Sequence, residues 1–369
     1  MDSTTIEEGP PRKKVKSLRE KGADEEGLST LPDDVLIKIF SYLDLKSISK
    51  CAMLCSRFNN ISKYGTLYKK VHLKYNMNFH ILKSLISKAT CPKILVLEYM
   101  WYTQHPYSDS DDSEAQDYSE FNKYVKKFFK QSGDQLKILK VESCRCNDVL
   151  LSLSECRNLE KLELYRCKGT FATLPSLGNL KSIHFLLCDF LLNTVVDVIK
   201  NNGNLRKISL ADNTNVNVDQ VCETMSQHCL LVTSIYLSER KKIKTKSLKT
   251  LKSLSNLRSL ELICISKSKF DLEDTLEQLA AGCPKLQKLA IYGWKEINDD
   301  NFIPALHMLT QLKELDLKGT NITIKSCREA ALTLPKLKSM DVIKMNPIKK
   351  AELAKLQKEF PKIDIALDK

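Results

Sequence analysis

A curved α/β solenoid, with parallel strands inside and helices outside, is the fold class that the sequence predicts, and a short all-helical segment precedes it. Three observations support this prediction. The pattern L-x-x-L-x-L recurs along most of the 369 residues, at an interval that fits one strand and one helix. The segment before the array has the apolar spacing of amphipathic helices rather than that of strands. Hydrophobic residues make up 43% of the chain, which is ample for burial.

The N-terminal stretch, residues 1–27, is predicted to be a disordered tail, because it is polar and charged and lacks apolar periodicity. Within it, a compact basic run beside two prolines contains Arg12, Lys13, Lys14 and Lys16. Such a run is typical of a nuclear localisation signal, which binds an acidic groove as an extended cationic strand. A solvated charge run without a signalling role is the alternative, and the sequence leaves both open.

Two short helices are predicted within residues 28–66. Pro32 suits a first helical turn, where its missing N–H costs nothing. The apolar residues that follow it fall on one helical face, namely Val35, Leu36, Ile39, Phe40 and Leu43. Asp44 or Ser47 can cap the second helix, whose apolar set is Ile48, Cys51, Ala52, Cys55 and Phe58. Two such helices bury too little to stand alone, so their apolar faces need a partner or the neighbouring repeats.

The repeat array is predicted over residues 67–369. Clear copies of the pattern, spaced by between 21 and 29 residues, begin at Leu159, Leu180, Leu205, Val232, Leu257, Leu286, Leu312 and Leu337. Degenerate earlier copies begin at Tyr68, at Ile94 (with Leu97 and Tyr99) and at Leu136. A last copy, Phe360 with Ile363 and Ile365, follows a helix-like stretch, and residues of about 346–369 are expected to cap the array.

One interval in the array is too long for a single repeat. The excess lies at about residues 103–120 and holds the acidic, serine-rich stretch 108–114, which cannot bury itself. We expect an exposed loop there. Phosphorylation at Ser108 would deepen its negative charge, but a passive insertion is the simpler interpretation, because long surface loops cost little.

The first predicted helix and its surroundings resemble an F-box. The pattern L-P-x-[DE]-h-h-x-x-I-F-x-x-L-D-L is filled by residues 31–45, with Asp34 where glutamate is usual, and Phe58 stands where tryptophan is common. In that family the element docks on the Skp adaptor, which links it to a cullin ligase. The resemblance therefore implies an adaptor-binding face made by Leu31, Pro32, Asp34, Leu36, Ile39, Phe40 and Leu43.

The array itself resembles leucine-rich repeats. Cysteines at Cys156, Cys167 and Cys283 are similar to the cysteine-containing subtype that commonly follows an F-box, although Trp294 stands where that subtype has a second cysteine. The two resemblances together imply the F-box/leucine-rich-repeat family, in which one end of the chain holds a common partner and the repeats select a variable one.

No motif of the sequence predicts catalysis. There is no H-E-x-x-H, G-x-S-x-G or Walker-type lysine loop, and the six histidines have no metal-ligand spacing. We therefore expect a non-enzyme without metal or cofactor. The thirteen cysteines, many at the repeat interval (Cys91, Cys156, Cys229 and Cys283 stand before predicted strands), are expected to be reduced and buried. No apolar segment of about 20 residues predicts a membrane span, so the expected location is the nucleus, the cytoplasm or both, with no membrane partner.

The side chains between the anchors are predicted to face outward from the sheet and to bind a protein substrate. They form two columns, and their aromatic and apolar members suit the gripping of a partner, namely Tyr165, Leu186, Tyr236, Ile263 and Tyr292. Asp316 and Asp341 are expected to meet basic residues of that partner. Loops and the C-terminal tail covering the same face are the alternative.

The formal charge of +13 favours acidic partners. The densest basic stretch, residues 240–246 continuing to Lys249 and Lys252, could contact phosphates, but lysines without interleaved aromatics more often form a solvated rim. The sequence thus favours a substrate receptor of a Skp–cullin–F-box ubiquitin ligase, with an unknown protein as substrate. An F-box adaptor or scaffold outside a ligase, or a nucleic-acid-binding solenoid, are the alternatives, the latter being the weaker.

Overall fold

The computed structural model describes residues 27–28, 30–99, 118–144, 147–168, 174–190, 193–239, 245–264, 272, 274–342 and 348–366. The chain divides into two compact units between Ser62 and Lys63. The predicted import signal at residues 12–16, most of the acidic insertion and residues 240–244 of the basic stretch lie outside the described residues.

The first unit is helical and consists of α1 (Asp33–Phe40), α2 (Leu45–Ala52) and α3 (Ser56–Ile61). Asp44 caps α2 as expected, because its side chain accepts a hydrogen bond from the backbone N–H of Ser47 at 2.7 Å. The prediction of one second helix carrying both Cys55 and Phe58 is wrong. That helix ends at Ala52, and Cys55 adopts an extended backbone and caps α3 instead.

The break after α2 has a packing reason. It allows Phe58 of α3 to meet Phe40 of α1 edge to face, with ring centroids 5.4 Å apart. Arg57, at the start of α3, forms an ion pair with Asp33 at 2.7 Å and donates a hydrogen bond to the carbonyl of Leu31. These contacts fold the third helix back onto the first, where a single straight helix could not reach.

The second unit is built on a parallel sheet whose strands are adjacent in chain order. Its strands are β1 (Lys70–Lys74), β2 (Ile94–Glu98), β3 (Ile138–Glu142), β4 (Lys161–Tyr165), β5 (Ser182–Leu186), β6 (Lys207–Ala211), β7 (Ser234–Glu239), β8 (Ser259–Cys264), β9 (Lys288–Tyr292), β10 (Glu314–Asp316), β11 (Ser339–Asp341) and β12 (Asp364–Ile365).

Helices connect most of these strands and cover one side of the sheet. They are α4 (Phe79–Lys88), α5 (Ser119–Ser132), α6 (Asn147–Leu151), α7 (Thr194–Lys200), α8 (Val218–His228), α9 (Thr245–Thr250), α10 (Thr275–Gly282), α11 (Asp299–Leu306), α12 (Ile324–Thr333) and α13 (Lys350–Glu359). Short 3-10 turns stand at Gly65–Tyr68, Gly133–Gln135, Ser152–Glu155 and Leu251–Ser253. The predicted α/β solenoid with a helical N-terminal unit is therefore confirmed.

The repeat anchors lie in the core between sheet and helices. All eight clear copies begin at a residue that is at most 7% exposed. The prediction that a degenerate copy begins at Ile94, with Leu97 and Tyr99 as its later anchors, is wrong by two residues. Strand pairing aligns Val71 with Leu95 and Leu73 with Leu97, so Leu95 is the buried anchor and Ile94 lies half-buried on the other side of the sheet. A shift of two residues preserves the alternation of a strand, which is why the apolar pattern alone allowed it.

Buried cysteines form hydrogen bonds that link successive repeats. Cys229 and Cys283 are fully buried, and each thiol donates hydrogen bonds to backbone carbonyls of the preceding repeat, at 3.4 Å to Ile199 and 3.5 Å to Leu251. Burial raises the pKa of Cys229 to about 11 and that of Cys283 to about 12. Cys156 is buried in the same position, but Cys91 is exposed, so the prediction of a buried thiol there is wrong.

The rate at which a reagent modifies each thiol of the folded protein should depend on how deeply that thiol is buried. We expect an alkylating reagent to label Cys55 and Cys91 first, because only an accessible thiolate reacts. Cys156 and Cys283 should remain unlabelled until the chain is unfolded in urea, since burial raises the pKa of each to about 12. Peptide mapping by mass spectrometry measures the order. Labelling of Cys283 as fast as Cys55 in the folded protein would contradict the buried assignment.

Candidate protein-binding surfaces

The first unit exposes large apolar side chains that its own fold does not use. We call Val35, Tyr42, Met53 and Leu54 the apolar set; they are 39%, 77%, 85% and 73% exposed. Met53 and Leu54 form the link between α2 and α3, where the cap at Cys55 forces them outward. Exposed large apolar side chains concentrated in one small domain are characteristic of a protein-binding surface.

The adaptor-binding residues implied by the resemblance fall into three groups. Leu36 and Phe40 are 0% and 2% exposed, so they belong to the core of the folded chain. Leu31, Ile39 and Leu43 are partly buried, and Pro32 and Asp34 are exposed. Sequence reasoning missed Met53 and Leu54, because it placed them inside one continuous helix. The residue type gave no signal for the new helix, because cysteine is not among the preferred N-cap residues.

The sheet of the second unit has a second face on the side away from the helices, which we call the open face. Side chains of alternate strand residues form columns there, and the strand pairing places Tyr165 beside Leu186 and Ile263 beside Tyr292 in the last column. Tyr236, Asp316 and Asp341 lie in the column next to it, where Asp316 pairs with Asp341. The predicted substrate-binding residues therefore share one face, and all of them are half-buried.

A buried carboxylate organises the open face at β4. Glu163 is only 2% exposed, although its column faces away from the helices. Lys140 on β3 reaches it at 2.5 Å, Lys161 forms a second ion pair, and the Tyr165 hydroxyl donates to it at 3.0 Å. Burial alone would raise the pKa of Glu163, but these hydrogen bonds outweigh it and lower the pKa to about 2. The carboxylate thus fixes the Tyr165 ring, which lies 5.2 Å from the ring of His184.

A second polar cluster occupies the open face near β9 to β11. The Tyr292 hydroxyl donates to Asp316 at 2.8 Å, and the Lys318 ammonium pairs with Asp341 at 2.7 Å and with Asp316 at 3.3 Å. Lys318 also lies over the Tyr292 ring, 5.7 Å from its centroid. The two aspartates therefore already have a cationic partner within the chain, which reduces their capacity to attract basic residues of a substrate.

The residue just after several strands has a left-handed backbone. This position holds Ser143, Arg166, Leu187 and Asp212 in successive repeats, with φ between 49° and 57°, and Gly293 after β9; Gly319 is at the aligned position of the next repeat. Each of the first four donates its backbone N–H to a carbonyl of the next strand, which continues the ladder. Leucine is disfavoured in this conformation, and Leu187 is also 42% exposed. A side chain kept at such a position without burial indicates a surface role.

The described part of the basic stretch lies on the helical side. Lys246 and Lys249 belong to α9, and Lys249 pairs with Asp274 at 2.9 Å. Among the described residues, no helix is long and apolar enough to cross a membrane, and no group of His, Cys, Asp and Glu is arranged to hold a metal ion.

Comparison with known proteins finds similarities to both parts of the chain. Residues 28–74 match the model of the F-box-like family. An internalin (inlF) from Listeria monocytogenes is similar in fold, with a TM-score of 0.53 at 16% identity over 93% of this chain and 99% of that one. A chain of the Rad7 and Elc1 complex in yeast is similar as well, with a TM-score of 0.50 at 16% identity over 90% of this chain and 80% of that one. Identities this low show the fold alone.

Replacing Glu163 with Gln tests the buried cluster. We expect a loss of about 1–3 kcal/mol of unfolding free energy at pH 7, because two lysines and a tyrosine lose a charged acceptor. The wild-type advantage should be complete above pH 4.5, the ordinary pKa of the group, and should vanish as pH falls towards the folded value of about 2. Urea denaturation followed by circular dichroism at several pH values measures it.

The matched control is Glu314→Gln, which removes an exposed carboxylate from the same face of the sheet. It should leave the denaturation midpoint unchanged. An equal effect of both substitutions, or a difference between wild type and Glu163→Gln that persists near pH 2, would contradict the assigned role of Glu163.

Replacing Leu187 with Gly tests the strained position. Glycine adopts a positive φ freely, so the variant should be as stable as wild type or more stable by up to about 1 kcal/mol, despite losing an apolar side chain. The neighbouring substitution Leu186→Gly, within β5, should destabilise instead. The denaturation midpoints of the two variants measure this difference. Equal losses of stability would show that the Leu187 side chain supports the fold.

Proposed function

Because the chain carries an F-box-like domain followed by a leucine-rich-repeat solenoid, we propose that it is the substrate-recognition subunit of a Skp–cullin–F-box ubiquitin ligase. The F-box-like domain docks the Skp adaptor and, through it, the cullin scaffold. The open face of the repeat sheet holds a protein substrate. Proteins with this combination of domains are generally non-catalytic adaptors.

The observation that carries the adaptor role is the apolar set of the F-box-like domain. An exposed Met or Leu that becomes fully buried contributes about 1.5–3 kcal/mol, so Met53 and Leu54 together can supply a large part of a stable interface. Their position in the link between two capped helices holds them in place before binding, which limits the entropy that binding must remove. Leu36 and Phe40 act indirectly, by supporting the helices from inside.

The substrate role is supported by the preorganised side chains of the open face. Tyr165 is fixed by Glu163, and Tyr292 by Asp316, so neither ring has to be ordered when a partner binds. Rigid aromatic side chains are the residues that dominate the binding energy of many protein interfaces. Tyr165, Leu186, Tyr236, Ile263 and Tyr292 are the anchors of this proposed surface.

The proposed contribution to ubiquitin transfer is proximity. A receptor that holds the substrate beside a charged conjugating enzyme converts an encounter in solution into a reaction within one complex. A solenoid of this fold has been solved in a two-protein complex, that of Rad7 and Elc1. That structure supports a function in which the solenoid works as part of an assembly.

A binding experiment with purified Skp adaptor tests the proposal. The double substitution Met53→Glu and Leu54→Glu places two charges on the apolar set, and we expect adaptor affinity to fall at least about tenfold, since each buried apolar side chain contributes about 1.5–3 kcal/mol. Both residues are exposed, so the fold should tolerate the change. Biolayer interferometry measures the affinity, and circular dichroism verifies the fold.

The control is Leu230→Glu with Leu332→Glu, which alters two apolar side chains of the repeats that are 53% and 64% exposed. It should bind the adaptor as wild type does. Adaptor binding that survives the change at Met53 and Leu54 would move the docking surface elsewhere. A wild-type chain that binds no adaptor would remove the ligase role altogether, and one that binds adaptor without cullin would point to an F-box protein acting outside a ligase.

A further inference from the structure

The edge of the sheet at which the strands begin is basic. The residue before a strand and the first residue of that strand are Lys69 and Lys70 at β1, Arg206 and Lys207 at β6, Arg258 before β8 and Lys338 before β11. All six side chains are exposed, and none of them forms an ion pair with a described residue. We call these six residues the basic edge.

A continuous backbone ladder holds the members of this edge in line. Arg206 donates its backbone N–H to the carbonyl of Lys181, Thr233 donates to Arg206, and Arg258 donates to Thr233, each at 2.8 Å. Arg206 and Arg258 are therefore two strand spacings apart, about 10 Å. Thr233 and Ser234 between them are small and uncharged, so the cations flank a shallow gap.

Other lysines of the same edge are neutralised within the chain. Lys137 and Lys181 both pair with Glu160 at 2.9 Å, and Lys288 pairs with Glu261 at 2.8 Å. The six residues of the basic edge form no ion pair with any described residue, and the same holds for Lys93 and Lys313, whose ammonium groups donate to the side-chain carbonyls of Gln135 and Gln287. Arg206, Lys207 and Arg258 lie close enough for their charges to add, and unpaired like charges are costly unless solvent or a partner compensates them.

Positive charge is concentrated on one side of the face, although Lys318 stands beside Asp316 and Asp341 on the other side. Moving along the strands from the basic edge, the next column on the open face, with Glu163, Glu261, Asp316 and Asp341, is acidic and has Lys140 as its one lysine among the described strands. Beyond it lies the column of Tyr165 and Tyr292. A ligand that runs along the solenoid therefore meets cations at one margin and aromatic anchors at the other.

We propose that the basic edge binds an acidic polypeptide segment, and that protein substrates of this receptor carry such a segment beside the part held by the aromatic anchors. The assignment of a substrate rests on the proposed function, whereas the binding of an acidic peptide does not. A polypeptide fits better than single-stranded nucleic acid, because the two edge positions carry no aromatic side chain in any strand and bases therefore have no stacking platform.

The test is direct binding of defined probes to the full chain. The first probe is a short fluorescent peptide in which Glu and Ser alternate, the second replaces every Glu with Gln, and the third is a duplex DNA of similar length. Fluorescence anisotropy at low and at physiological salt measures the affinities. Of the two peptides, we expect only the acidic one to bind. Its affinity should be lower at the higher salt concentration, because the interacting charges are exposed.

Charge reversal locates the site. The triple variant Arg206→Glu, Lys207→Glu, Arg258→Glu should bind the acidic peptide at least about tenfold more weakly, because attraction becomes repulsion across the whole centre of the edge. The control is Lys83→Glu, Lys127→Glu, Lys130→Glu, which makes the same change of net charge on exposed lysines of α4 and α5. It should retain most of the affinity. A neutral variant, Arg206→Gln, Lys207→Gln, Arg258→Gln, should lie between the two.

Each other outcome overturns the proposal. Equal losses in the triple variant and its control would show that net charge alone drives binding. Duplex DNA that binds more tightly than the peptide and displaces it would assign the edge to phosphates. Circular dichroism of all three variants excludes unfolding, and the neutral variant replaces any that unfolds. Adaptor affinity should be unchanged in the triple variant, and a wild-type chain that binds no adaptor would remove the ligase role while leaving this result intact.

Discussion

The structure depends on one constraint, the continuous ladder of backbone hydrogen bonds that joins each strand in register to the next. The ladder runs from the first pair of strands, where Lys93 bonds to Lys69, to the last pair, where Asp364 bonds to Lys338. Because register is shared, every repeat must place its anchors on the helical side, and every other side chain joins a column on the open face. The proposed binding surface is thus a consequence of the fold rather than an addition to it.

The repeat fold could be predicted from the sequence because burial leaves a strong periodic record. Leu159, Leu205 and Leu257 fit a single pattern, and each is 0% exposed. Prediction was wrong where the pattern was compatible with two answers. Ile94 and Leu95 are both apolar, so only the pairing with β1 decides which one faces the core. The break before Cys55 was missed because helix propensity does not end α2. Tertiary contacts end it, above all the contact between Phe40 and Phe58.

The chemistry of the open face was less predictable than its position. Counting residues along each strand predicts which side chains share a column. The hydrogen bonds and ion pairs within a column depend on distances between strands, which the sequence does not give. Glu163 and Asp316 read as surface acids in the sequence, whereas one is buried under two lysines and the other is bonded to Tyr292 and Lys318. Residue type therefore located the candidate anchors, and only the structure distinguished acids that are available to a partner from acids that position a neighbouring ring.

The polarity of the face has a consequence for how a substrate is oriented. Cations stand where strands begin and aromatic rings where strands end, about five residues further, which is roughly 13–17 Å along a strand. A segment that satisfies both margins must lie across the face with its acidic residues where the strands begin, since reversal would set those acids against the aromatic rings and leave the cations of the basic edge without a partner. The middle column adds little repulsion, because Glu163 is buried under two lysines and Asp316 and Asp341 pair with Lys318. Specificity in the proposed receptor would then come from matching charge at one margin and apolar area at the other.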